Sequence, residues 1–101
     1  MKKLLPIGSV VKLKDVPQKV MIVGHLMSAA DDGKQWDYAA VHYPQGLIDP
    51  EKFILFDHGS IELMHFIGLQ DAEGLAYMKE MFITLNGLDE ADEEEDNLDE
   101  N

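Results

Sequence analysis

The sequence predicts a small α+β fold: a curled antiparallel sheet or SH3-like open barrel of about five strands, one C-terminal helix, and a disordered acidic tail. Three observations carry that expectation. Short runs rich in β-branched and aromatic residues are separated by turns bearing Gly, Pro or Asp. One later segment switches to helical spacing. The final stretch, Leu88 to Asn101, holds nine acidic residues and no basic one. The boundaries that follow are one α+β domain over 1–87 and a solvated tail over 88–101.

Val10 to Leu13 reads as the first strand, with Val11 and Leu13 alternating against Lys12 and Lys14, and Asp15-Val16-Pro17-Gln18 as its turn. Val20 to Met27 is a nearly continuous apolar run, short and β-branched, and so a central strand with Gly24 at a bulge or a close crossing. Asp31-Asp32-Gly33-Lys34 forms a loop tip. Trp36 to Tyr43 returns as an antiparallel partner, with Trp36, Tyr38, Ala40 and His42 on one face and Asp37, Ala39, Val41 and Tyr43 on the other.

Tyr43-Pro44-Gln45-Gly46 closes that strand, because proline lacks the N–H a ladder needs and glycine adopts a turn's positive φ. Asp49-Pro50-Glu51 repeats the punctuation, leaving Phe53 to Phe56 as a fourth strand. After Asp57-His58-Gly59-Ser60, a fifth runs from Ile61 to Ile67. Asp71 stands at a helix N-cap with Glu73 in the first turn, and Asn86-Gly87 forms the stop. Leu75, Met78, Phe82 and Leu85 share one stripe, while Tyr77, Met81 and Ile83 fall off it.

The chain has 101 residues, a net charge of −12 and no cysteine. Thiolate metal sites, disulfides and a nucleophilic thiol are thereby excluded. The first 87 residues hold all eight lysines against eleven acids, so the charge belongs largely to the tail. Every basic residue is a lysine, which leaves no guanidinium fork for phosphate or guanine, and a nucleic-acid partner is not expected. Lys12 and Lys14 follow the opening too closely for a secretory h-region, and no apolar run reaches the roughly 20 residues of a membrane span. Cytoplasmic localisation without membrane insertion is the expectation.

Four segments carry most of the information: Leu-Leu-Pro-Ile-Gly-Ser-Val-Val at Leu4 to Val11, Val-Met-Ile-Val-Gly at Val20 to Gly24, Trp-Asp-Tyr with Tyr-Pro-Gln-Gly across Trp36 to Gly46, and Phe-Asp-His at Phe56 to His58, the first and third being the most specific. In this order and spacing the chain resembles domain-of-unknown-function family 4176, small Gram-positive proteins encoded beside type VII secretion and LXG toxin genes. The likeness spans roughly Leu4 to Gly68 and fades into the helix. It implies an intracellular accessory protein that serves a secreted toxin, and it implies no active site.

The residues themselves offer no catalytic set. His25, His42, His58 and His65 are not spaced to place two ligands on one helical turn, and the Asp57-His58 pair is the one that invites scrutiny as a small enzyme or metal-dependent regulator. His58-Gly59-Ser60-Ile61-Glu62 is not a nucleophile elbow, and phosphate-cradling glycine motifs are absent from the sequence. Asp31-Asp32-Gly33 lacks the alternation and closing glutamate of a calcium loop. The expectation is therefore a non-enzyme with no cofactor and no metal.

The leading reading is a chaperone or adaptor that binds a cognate secreted toxin before export; an immunity protein that neutralises the toxin domain is the alternative. Large apolar groups on strands or off the helix stripe nominate Trp36, Tyr38, Tyr43, Tyr77 and Met81 as the partner-binding surface.

Overall fold

A computed structural model of the chain describes residues 4–28 and 33–86, with side chains through Thr84. The expected tail at 88–101, the Asp31-Asp32 tip, the Leu85 side chain and the Gly87 half of the helix stop lie outside the described residues. Chain contacts define two units, Leu4–Leu69 with the sheet and a second with the helix, and each is described by itself.

The sheet unit holds β1 (Val10–Leu13), β2 (Val20–Ser28), β3 (Gln35–His42), β4 (Ile54–Phe56) and β5 (Ile61–Phe66). Their spatial order is β4-β3-β2-β1-β5, with every neighbouring pair antiparallel. The first four strands form a meander, and β5 comes back beside β1 after a short 3-10 turn at His58–Ser60. That is the connectivity of an SH3-like open barrel. The two end strands do not pair with one another among the described residues, so the sheet is open.

Local chemistry explains the joints. Asp15, which tolerates the left-handed region better than most residues, has φ 64° in the β1–β2 turn, and Val16 N–H reaches Leu13 O at 3.2 Å. Tyr43-Pro44 is a cis peptide, and Gly46, at φ 77°, donates its N–H back to His42 O at 2.8 Å. The β2–β3 pairing slips between Ile22 and Gly24, the bulge expected at that glycine. A Cβ at Gly24 would make only ordinary contacts at 3.6 Å, so the close-crossing alternative does not hold there.

The bulge has a consequence for the core. Before it Val20 and Ile22 oppose His42 and Ala40; beyond it His25 and Met27 oppose Tyr38 and Trp36. The extra residue switches the parity of β2, so His25 is aimed at the face on which Tyr38 lies. Val11, Leu13, Val20, Ile22, Tyr38, Ala40 and Phe56 are buried, and Leu4 joins them from the segment before β1.

In the second unit α1 spans Ala72–Asn86. Asp71 caps it as expected, its Oδ1 accepting Gly74 N–H at 2.8 Å while its carbonyl accepts Leu75 N–H at 2.9 Å. The expected stripe needs correction: Leu75 is exposed, whereas Met81 is only 8% exposed and Met78 and Phe82 are intermediate. The sheltered line therefore follows Met78, Met81 and Phe82, a set that also satisfies i, i+3 and i+4 spacing but is rotated away from Leu75. A segment with apolar residues around so wide an arc has more than one admissible stripe.

Candidate functional site

Leu5, His25, Phe56 and His58, from three separate stretches of the sequence, converge on Tyr38. Its ring is fully enclosed, 5.1 Å from the Phe56 ring, 5.9 Å from His58 and 6.0 Å from His25, measured between centroids. The β3–β4 register sets Tyr38 opposite Phe56, and the bulge in β2 brings His25 alongside. Tyr38 Oη accepts the Leu5 N–H at 2.9 Å and lies 2.7 Å from His58 Nδ1. With the imidazole proton on Nε2, the phenol O–H donates to that nitrogen. A carbonyl can only accept, so the 2.6 Å contact between His25 Nε2 and Leu5 O fixes a proton on His25 Nε2. The Leu5 residue is thus held at its N–H by Tyr38 and at its carbonyl by His25.

Burial pushes the Tyr38 phenol up from the ordinary 10.0 to about 12, and the nearby Asp37 carboxylate adds to the rise while the Leu5 N–H opposes it. At neutral pH the group is a neutral hydrogen-bonding phenol.

Asp37 and Asp57 make a reciprocal clasp beside it. Asp57 Oδ1 accepts the Asp37 N–H at 3.1 Å, and the buried Asp37 carboxylate accepts the His58 N–H at 2.8 Å. Each carboxylate thereby serves a backbone donor at the end of the β3–β4 ladder, where strand pairing stops. Lys34 Nζ stands 3.7 Å from Asp57 Oδ2 and 3.8 Å above the Trp36 ring, an exposed arrangement of small energetic weight.

The segment before β1 is fixed a second time at Ser9. This buried hydroxyl donates to Pro6 O at 2.8 Å and accepts the Gly68 N–H at 3.0 Å. Gly8 N–H and Ser9 O pair with Ile22 at 2.8 and 2.9 Å, extending the sheet past the end of β1. Gly8 has φ 91°, and a Cβ on Gly68 would lie 2.0 Å from Ile7 O, so the crossing of these two chains requires glycine at 68. Among the described residues, no group of three histidines or carboxylates is placed to hold a metal.

The five nominated contact residues separate. Tyr38 is corrected to the core: it is 0% exposed because β2, β4 and the Leu5 segment close around it. Met81 is corrected likewise by its 8% exposure. Trp36 is half-buried, while Tyr43 and Tyr77 are exposed. Other apolar groups are exposed as well: Leu47, Ile48 and Phe53 lie in the β3–β4 connection, and Leu63, Met64, Phe66, Ile67 and Leu69 lie on or just after β5. The signal was present in Leu63-Met64-His65-Phe66-Ile67, whose apolar residues do not alternate as a half-buried strand requires.

The described residues define a small open-sheet module whose Tyr38-centred polar groups hold its own backbone in place. The chain belongs to the family described as Domain of unknown function (DUF4176), whose model matches residues 4–76. No curated protein and no solved structure matches it.

Proposed function

We propose that this chain is a non-enzymatic cytoplasmic chaperone or adaptor that binds a type VII secretion toxin of the LXG kind and keeps it stable before export. The observation that carries the reading is the amount of apolar surface at one end of the sheet. Leu63, Met64 and Phe66 of β5 are exposed, and Ile67 and Leu69 continue the run. Large exposed apolar groups gathered along one end strand favour an interaction surface. Family membership supports the reading through the gene neighbourhood that the resemblance implies. The polar cluster around Tyr38 supports it in another way, since its donors and acceptors are engaged with the chain's own backbone.

A net charge of −12 favours a basic client and would help keep a complex soluble. The same charge suits an immunity protein facing a cationic toxin domain, and one experiment separates the two. The tagged full chain is co-expressed with the candidate toxin, and with the isolated toxin domain. A chaperone raises the toxin's abundance and co-purifies with it but leaves cells sensitive to the toxin domain. Rescue of those cells assigns immunity instead, and neither co-purification nor rescue rejects both.

A further inference from the structure

We infer that the outer half of β2 is a two-register switch, held in its present register by the segment that carries Leu5. At the bulge Ile22 pairs with Ala40 and Gly24 with Ala39, so two steps along β2 meet one along β3. Beyond it His25, not Leu26, lies on the face of Tyr38, and Leu26 is left in the left-handed region at φ 52°. That region is costly for leucine, whose Cβ crowds the following carbonyl oxygen. An apolar residue thus gives up the Tyr38 face to an imidazole and is strained as well. What the arrangement secures is the hydrogen bond from His25 Nε2 to Leu5 O.

Taking the extra residue out of the ladder slides the rest of β2 by one position and turns each of its side chains to the other face. Gly24 then stands opposite Tyr38, His25 opposite Asp37 and Leu26 opposite Trp36, while Ser28 leaves the ladder. Leu26 joins Val20 and Ile22, both fully buried, on one face, and its backbone returns to the extended region. His25 gains the Asp37 carboxylate as its neighbour; a carboxylate accepts several donors, so the His58 N–H keeps its place there. The cost of the slide is the Leu5 contact. Each register satisfies His25, but only the present one holds Leu5, so displacing the Leu5 segment removes the reason for the bulge. Linkage makes the coupling reciprocal: a bulge-free β2 releases that segment in turn.

The chain has no cysteine, so paired substitutions trap the two registers in the full-length protein. Met27→Cys with Trp36→Cys joins positions that face one another in the present register. Leu26→Cys with Trp36→Cys joins positions that do so only after the slide, because they otherwise point to opposite faces of the sheet. Tyr38→Phe loosens the Leu5 segment by removing the acceptor of its N–H. In that background the shifted-register pair should crosslink about tenfold faster than with Tyr38 in place, while the present-register pair slows. A second comparison needs no cysteines: Leu26→Ala and Leu26→Gly both remove the leucine side chain, but only alanine keeps the Cβ that φ 52° disfavours. Exchange of the Leu5 amide should be about fivefold or more slower in the glycine variant than in the alanine variant. Failure of the shifted-register pair to crosslink in the Tyr38→Phe background, equal acceleration of both pairs, or equal Leu5 exchange in the glycine and alanine variants would overturn the inference.

Discussion

Replacing Tyr38 with phenylalanine removes one oxygen and leaves the ring, so it isolates the hydrogen bonds from the packing. The Leu5 N–H loses its acceptor at 2.9 Å and His58 Nδ1 loses its partner at 2.7 Å, both in partly buried surroundings. An orphaned buried donor costs about 1–3 kcal/mol, which sets the expected loss at neutral pH. Urea denaturation followed by tryptophan fluorescence should show the midpoint falling with an unchanged slope.

Alkali supplies an independent check. The folded phenol titrates near 12 and the unfolded one near 10.0, so the unfolded chain releases its proton first as pH rises. Wild-type stability therefore falls from pH 10 upward and has lost the contribution of this group by about pH 12. At about 1.36 kcal/mol per pH unit, the loss amounts to roughly 2–3 kcal/mol. The phenylalanine variant has no such group, so the gap between the two proteins should narrow or close over that interval. A variant within about 0.5 kcal/mol of wild type at neutral pH, or a gap that stays constant in alkali, would refute the assignment of Tyr38 as the group that holds the Leu5 N–H.

Gly68→Ala drives a methyl into Ile7 O and should cost at least about 3 kcal/mol, whereas Gly24→Ala meets ordinary contacts and should change stability by less than about 1 kcal/mol; thermal melts of both test the distinction. Ser9→Ala leaves the buried Gly68 N–H without its acceptor and should lose about 1–3 kcal/mol in urea denaturation. Asp71→Ala removes the cap of α1 and should lower helix stability by about 1 kcal/mol, read as faster exchange of the first-turn amides. Lys12 holds the exposed Glu62 carboxyl below its usual range, yet solvent screens the pair, so Glu62→Ala should leave the melting temperature unchanged at physiological salt.

Much of the sheet was legible in the sequence because backbone chemistry marks its joints. Asp15, Gly24, Pro44 with Gly46, and Asp57 to Ser60 stand at a turn, a bulge, a turn and a 3-10 connection respectively. Asp71 was readable as a cap for the same reason. What lay beyond reach was the pairing of distant segments. Nothing local in Leu5, His25, Tyr38 and His58 says that they meet, since their approach depends on β2 switching parity at the bulge and on β3 lying between β2 and β4. The place of Tyr38 on a strand therefore reads as that of a surface aromatic, whereas the structure buries it. Met81 was misassigned because Leu75 and Met81 both belong to admissible helical stripes, and spacing alone does not choose between them. That Leu63, Met64 and Phe66 lie on an end strand is a property of strand order, which no local pattern states.

The central claim is that the chain protects a secreted client by binding it, and the most direct measurement is the toxin's half-life in cells with and without the full chain. Pulse-chase labelling should show the client persisting longer when the protein is present, with the two recovered as one complex. An unchanged half-life with no shared complex would contradict the claim.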